Sequence, residues 1–461
     1  MKNVLVILGL LVVCAVIALG VFWATFDADR YRPLVVSRLE EAIGRPVALE
    51  RITLGWERGI AIRLQGLAVS ASAARGGEPS VSIESISAVV RVLPLLRKQI
   101  EIASLVLQHP RLLVTRNAAG QIDLLGLAAA VGPAAMGTAP HAAGSGPAVT
   151  LKIASLRVRE GVVDWVDATT TPPTHLSLNA LDAAVTTIAP GAPMEVALNG
   201  ALASPTPNLH FTGRVRLPDA AQPGSVHPLT LRLDRVAFED VLPPAHPGAP
   251  SLRGALSATF QGTLSTLEPS RIQEAMAGSG TVKITGLVVS NLNILRAALG
   301  RFVMLPGLLE LLEARLAQAD QAQLLMQDTR FKPVQAAVEV EGGAIRCDDV
   351  RLQSEALELS GGGRVGLDGG LDLRSVLRIG APLSAAFIHS AGVLQGLANE
   401  AGELEFPVTI QRQGSRLTVS PDLHYLTSRL VATSGQELLG RLLERALESH
   451  RPAESPTSQT P

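Results

Sequence analysis

Apolar and polar residues alternate along most of the chain with a period of two, the spacing of a strand with one dry and one wet face. Ile60, Ile62 and Leu64 alternate with Ala61, Arg63 and Gln65, and Leu229, Leu231 and Leu233 with Thr230, Arg232 and Asp234. Leu404, Phe406, Val408 and Ile410 alternate with Glu405, Pro407, Thr409 and Gln411. Roughly nineteen such segments follow one another, separated by turn chemistry such as Asp368-Gly369-Gly370. The pattern predicts a mainly β protein.

Helical spacing is confined to a few places. Asp27 and Asp29 offer N-caps for a helix through Tyr31-Arg32-Pro33 to Ile43, where Gly44 is a natural stop. Ile122 to Val131 reads as a short helix, and Leu292 to Leu316 as a longer one broken or kinked at Pro306-Gly307. Leu383 to Asn399 is helical and loop-like by turns. Leu426 to Leu447 is amphipathic, with Leu438, Leu439, Leu442, Leu443 and Leu447 opposite Arg441, Glu444, Arg445 and Glu448.

The N-terminus breaks both patterns. Asn3 to Phe26 carries no charge, and as a helix it would reach about 36 Å against a hydrocarbon core about 30 Å thick. Trp23 and Phe26 stand where an interfacial aromatic belt would lie, and Lys2 favours a cytoplasmic N-terminus. A cleaved signal peptide is the rival reading, with Ala18-Leu19-Gly20 as the small-residue site. The run continues through Val21, Phe22 and Trp23, which favours a retained transmembrane anchor, and Val13 before Cys14 argues against a lipoprotein.

These readings divide the chain into an anchor over 1–26, an N-terminal region over 27–131, and a Gly/Ala/Pro-rich linker over 132–148. A middle β region over 149–277 and a C-terminal β region over 278–425 follow, then the amphipathic helix over 426–448 and a disordered tail over 449–461. Leu217 to Pro228 and Leu242 to Pro250 are proline-rich and irregular. No strict sequence repeat underlies the recurring strands.

Composition narrows the chemistry. Forty basic residues against forty-one acidic ones leave a net charge of −1 in 461 residues, so no basic excess exists to hold nucleic acid. Aromatics make up only 3%, so the buried surface is expected to be aliphatic. Cys14 and Cys347 cannot build a disulfide framework or a cysteine metal site.

Gly361, Gly363 and Gly366 spell G-x-G-x-x-G, but the residues after them, Leu367 to Ile379, alternate as a strand instead of opening a helix. A glycine-rich β turn or bulge is therefore expected, and no nucleotide site. No G-x-S-x-G occurs, and no lysine follows a glycine, so no P-loop exists. The nine histidines are never closer than seventeen residues, which gives no local metal pair. His109, His210 and His424 read as surface or structural residues. Asp348-Asp349, adjacent on a strand, would point to opposite faces and cannot form a carboxylate dyad. Catalytic residues, metal ligands and cofactor-binding residues are thus none, and an enzyme is not expected.

The dry strand face remains. A closed sandwich core and an open groove both fit it. An aliphatic groove would offer acyl chains a smooth, non-directional surface, lined by Ile60, Ile62, Leu64, Leu229, Leu231, Leu233, Leu404, Phe406, Val408 and Ile410. The anchor, the scarcity of helices able to cover a sheet and the lack of large aromatic core residues favour the groove.

Phe26-Asp27-Ala28-Asp29-Arg30-Tyr31-Arg32-Pro33, followed by Glu40-Glu41-Ala42-Ile43-Gly44-Arg45-Pro46-Val47, resembles the start of AsmA-family proteins. Val92 to Leu96, Gln108 to Leu112 and Arg116 to Leu124 resemble the family's next block of paired strands and a turn into a helix. Gly278 to Thr281, Phe331 to Val334, Gly342 to Arg346, Pro407 to Ile410 and Ser420 to Leu423 are similar to its C-terminal strands.

The resemblance implies an inner-membrane anchor, a chorein-like N-terminal region and an elongated, curved antiparallel β-groove, as in relatives of TamB and the bridge-like lipid-transfer proteins. It further implies a role in outer-membrane biogenesis and phospholipid traffic, or in regulating outer-membrane protein assembly through envelope protein partners. The motifs are architectural and carry over no catalytic residues. Nineteen strands at about 4.8 Å would make at most roughly 90 Å of groove, too short to cross a periplasm alone.

Overall fold

Once two such strands pair, their alternation puts every apolar side chain on one face, so a chain patterned in this way folds as sheet. The computed structural model describes residues 27–57, 59–70, 79–95, 99–118, 122–123, 151–169, 173–189, 191–216, 226–242, 248–267, 271–302, 305, 307–367, 370–413 and 416–430. The fold is mainly β with few helices, and it divides into two units between His227 and Pro228. Among the described residues twenty strands are formed, against the roughly nineteen expected.

The first unit opens as anticipated. Asp27 caps a 3₁₀ turn (Ala28–Tyr31) by accepting from the Asp29 N–H at 3.0 Å, and helix α1 (Arg32–Ile43) ends on Gly44 at φ 72°. Its strands are β1 (Val47–Ala48), β2 (Arg51–Trp56), β3 (Ile60–Ser70), β4 (Pro79–Val90) and β5 (Ile100–Arg116). There follow β6 (Ile122–Asp123), β7 (Leu151–Asp167), β8 (Thr174–Ile188), β9 (Pro193–Leu202) and β10 (Leu209–Arg216). The main sheet runs β3-β4-β5-β7-β8-β9-β10, with β1 and β2 both paired to β3.

Two expectations are corrected here. The sheet is not wholly antiparallel, because β5 and β7 run parallel over their full length. A parallel pair needs a crossover of a dozen or more residues, and the chain between Arg116 and Leu151 supplies it. Ile122–Asp123, read as the start of a helix, instead forms a short strand against Thr115 and Arg116, which satisfies its backbone on the edge of β5.

Strand β11 (His227–Ala237) starts at the boundary, with His227 the last residue of the first unit, and the second unit goes on with β12 (Ser251–Leu264), β13 (Met276–Ser290), β14 (Thr329–Arg330) and β15 (Val334–Glu341). It continues with β16 (Ala344–Gln353), β17 (Leu357–Gly366), β18 (Leu371–Ile379), β19 (Glu405–Gln413) and β20 (Arg416–Pro421). Strands β12-β13-β15-β16-β17-β18-β19-β20 pair antiparallel in that order.

Helices α2 (Ile294–Leu299), α3 (Leu308–Arg315) and α4 (Gln318–Leu325) lie between β13 and β14. Helices α2 and α3 are separate, as the predicted break requires, and Gly307 before α3 has φ 80°, while Pro306 lies outside the described residues. Helix α5 (Ala381–Ser390) and a 3₁₀ turn (Gly392–Leu397) occupy the stretch read as helical and loop-like by turns.

These helices seal the sheet of the second unit, against the expectation that helices were too few to cover one. Leu295 and Leu299 of α2, Leu312 of α3, Leu324 of α4 and Phe387 of α5 join Leu359, Leu377 and Ile379 of the strands in one core. The large side chains with under 2% exposure all belong to this unit. Aromatic residues anchor the core after all, for Phe302 and Phe406 meet edge to face with centroids 5.2 Å apart.

Residues 423–430 are helical, capped by Asp422 through the N–H groups of His424 and Tyr425, and bury Leu426 and Leu430 in the same core. The remainder of the predicted Leu426–Leu447 helix lies outside the described residues. So do the proposed anchor, the 132–148 linker and the tail. Among the described residues no helix is long and apolar enough to cross a membrane.

Candidate apolar sheet face

In the first unit the strand register lines up the apolar residues into rows. One row runs Leu64, Ile86, Leu107, Val158, Ala183, Leu198, Phe211 across β3, β4, β5, β7, β8, β9 and β10. A second, lying beside it, runs Ile62, Ala88, Leu105, Leu156, Val185, Val196. A third runs Val69, Val81, Leu112, Val163, Leu178, Leu202. The opposite face carries Arg63, Ser87, Arg157, Ala184, Glu195 and Arg214.

The third row has the opposite parity in sequence from the first two on β3, β4, β5, β7 and β8. It stays on the same face because the strands bulge at one level. Gly66, His109, Glu160 and Ala180 all take positive φ, at 64°, 47°, 52° and 46°. The register slips there between Val158 and Gly161 and between Asn179 and Asp182. Each extra residue restores the phase of the alternation. Side chains reinforce this seam on the polar side. His109 lies between Glu84, at 2.9 Å, and Glu160, at 2.7 Å, and the Glu160 N–H donates to Asp182 at 3.1 Å.

Among the described residues, cover is present only at the start of the face. Leu39 and Ile43 of α1 pack on the cluster of Val47, Val69, Val81 and Ile83, and Val35 and Val36 on that of Ala28, Leu49 and Ile52. Among the described residues these clusters reach no further than Leu107 and Leu112 of β5. The apolar rows of β7–β10 belong to neither cluster, and Leu156, Val158, Val185, Val196, Leu198 and Phe211 are half-buried, each keeping part of its surface exposed. Over the six spacings from β3 to β10 the face is about 29 Å wide.

The ten residues read from the sequence as groove lining fall into three settings. Ile60, Ile62 and Leu64 lie on the apolar face of β3, half-buried. Leu229 of β11 is buried, and Leu231 and Leu233 are half-buried. Leu404, Phe406, Val408 and Ile410, 1–7% exposed, face the core of the second unit, where the helices cover them. Alternation marks a dry face but not what lies against it, so sequence reasoning missed Leu156, Val158, Val185, Leu198 and Phe211, which form the uncovered part of the face.

Arg116 Nη1 reaches Asp167 Oδ2 at 3.5 Å where the parallel pair ends. Burial pushes the Asp167 carboxyl up, but hydrogen bonds from the Thr169 hydroxyl and N–H, with the Arg116 charge, outweigh it and hold the group below its usual range. A shallow hollow of about 440 Å³ on the polar face is lined by Arg157, Arg159, Glu160, Asp182 and Asn199 among others.

Gly361 and Gly363 of the G-x-G-x-x-G sit inside β17, where a Cβ would collide with the carbonyl oxygens of Arg374 and Asp372 on β18. The motif is followed by strand β18, and Asp348 and Asp349 occupy the bulge of β16 beside it, both exposed.

Residues 1–217 match the AsmA family, a stretch that contains all of β1–β10 and with them the uncovered face. No curated protein matches the chain.

Proposed function

From a first unit that belongs to the AsmA family over residues 1–217, we propose that the chain holds phospholipid acyl chains on its uncovered apolar face and serves outer-membrane biogenesis by binding or transferring them. In this reading residues 3–26 anchor the chain in the bacterial inner membrane, the body is periplasmic, and no covalent chemistry is performed. The observation that carries the reading is the set of apolar rows across β7–β10 that no described helix covers. These side chains are already half-buried, so covering each with an alkyl chain contributes a fraction of the roughly 1.5–3 kcal/mol of complete withdrawal from water. The surface lacks directional polar groups along the rows, so an acyl chain could slide along it without breaking hydrogen bonds.

The test is photocrosslinking in cells at Leu156 and Leu198, with Arg157 and Ala197 on the opposite face as controls. Phospholipid adducts at the first pair and not the second are expected. The rival reading is a scaffold or regulator of outer-membrane protein assembly that grips envelope proteins through strand edges. It predicts protein adducts and no lipid adducts at all four positions.

A further inference from the structure

Large apolar side chains stand exposed at one end of the first unit. Trp56 ends β2 with 60% of its surface exposed, Leu93 lies in the helical turn Val92–Leu95 after β4 with 78%, and Ile100 begins β5 with 38%. The register brings them together. Trp56 pairs with Ile60, Ile60 with Val90, and Val90 with Ile102, so three adjacent strand pairings connect Trp56 to the start of β5. Arg91 and Lys152 flank the same strand ends, half-exposed, and share Glu101 at 2.9 and 3.7 Å.

The chain arrives on the same strand as Trp56, near the start of β2. The Ile52 N–H donates to Asp29 at 3.1 Å and the Arg32 guanidinium to the Glu50 carbonyl at 2.9 Å, which fixes the 3₁₀ turn and the start of α1 on β2. Trp56 lies four residues further along that strand, about 13 Å away. Tyr31 and Leu34, 51% and 61% exposed, add apolar surface where the chain arrives. Val226 is the only other large apolar side chain that stands exposed among the described residues of this unit. The exposed large apolar side chains of this unit thus lie, Val226 apart, either on this rim or in the first turns of the described chain.

We propose that this rim, Trp56 with Leu93 and Ile100, seats against a lipid bilayer surface. A tryptophan and aliphatic side chains beside a lysine and an arginine form the combination that partitions into the headgroup layer, where the rings and alkyl groups leave water and the cations meet lipid phosphates. The proposal commits to the bilayer because the uncharged run ends within one strand length of the rim. It depends on the anchor reading of residues 3–26 and not on lipid occupying the apolar face.

The test uses the full chain reconstituted into phosphatidylethanolamine–phosphatidylglycerol vesicles. The chain has three tryptophans, Trp23, Trp56 and Trp165. With Trp23→Phe and Trp165→Phe, Trp56 alone reports on the rim, and its emission is expected to shift to the blue and be quenched by lipids brominated near the headgroup. Unquenched emission at the position of a water-exposed indole overturns the proposal. A blue shift that grows with protein-to-lipid ratio without bromine quenching overturns it equally, because it marks a second copy on the rim.

The variant with Trp23→Phe and Trp56→Phe leaves Trp165, which pairs with Leu176 and lies two residues along β7 from Val163, on the same face. Its response to brominated lipid tests the acyl-chain reading separately. A photocrosslinker at Leu93 in the otherwise native chain supplies a readout that needs no tryptophan change. It is expected to yield phospholipid adducts, and protein adducts alone reject the rim.

Discussion

His109 on β5 and Glu160 on β7 face each other across the parallel pairing, Nε2 to Oε2 at 2.7 Å, and both residues sit at positive φ. Each is the extra residue of its strand. Their backbone does more than their charges, because the bulge returns Leu112 and Val163 to the face that holds Leu107 and Val158.

Substitution and deletion at His109 should therefore differ sharply. His109→Gly loses exposed side-chain contacts to Glu84 and Glu160 but relieves the left-handed conformation, so its stability should stay within about 1 kcal/mol of the parent. Deleting His109 forces Leu112 and Val114 toward the polar face or slips the strand, and should cost several kcal/mol, on the order of a large core substitution. Urea melts of the two variants decide it. Equal losses would show that the seam does not set the phase of the alternation.

His227 predicts a pH dependence. It is 5% exposed and its Nδ1 accepts the Arg216 N–H at 3.2 Å, so the neutral ring is the form the fold holds, and burial pushes its pKa below the ordinary 6.5. A group depressed in this way contributes stability that is fully present above 6.5 and is lost as pH falls through the lower folded value. Urea melts should show the wild type weakening as pH falls below that point. His227→Gln, which keeps an acceptor that does not titrate, should show a flatter profile there. Parallel profiles for the two proteins would remove His227 as the cause.

Cys347 should be inert in the folded protein. Its thiol is buried and donates to the Ala337 carbonyl at 3.1 Å, and burial raises its pKa. In a Cys14→Ser background, maleimide labelling near pH 8 should be slow in buffer and rapid in denaturant. Fast labelling of the native chain would mean that the β15–β16 pairing opens readily.

Local pattern made the strands legible, and also the cap at Asp27, the stop at Gly44 and the break before Gly307. Each depends on residues within a few positions of one another. The parallel β5–β7 pair was not legible, because it joins segments separated by a long crossover and each strand looks the same in either orientation. The bulge seam was half legible. The change of phase between Leu64 and Leu67 is in the sequence, but its alignment with His109 and Glu160 exists only after pairing.

Helix placement was the largest gap. Leu292–Leu316 reads as helix, yet nothing within it says that it will cover Phe406. The alternations at Ile60–Leu64 and at Leu404–Ile410 are equivalent as patterns, and only tertiary packing separates a half-buried face from a sealed core.

That separation gives the last prediction. Val408 is 2% exposed beneath helices, whereas Leu198 is only half-buried on the first unit's apolar face. Val408→Asp buries a carboxylate with no partner, costs several kcal/mol and should unfold the second unit. Leu198→Asp can keep its carboxylate hydrated, so the chain should fold with a near-native melting profile while lipid co-purifying with it decreases. Circular dichroism melts and mass spectrometry of extracted lipid read the two effects independently. If Leu198→Asp unfolds the chain as Val408→Asp does, the face is a closed core and the acyl-chain reading is lost. If it folds and retains its lipid in full, the lipid is held elsewhere on the chain.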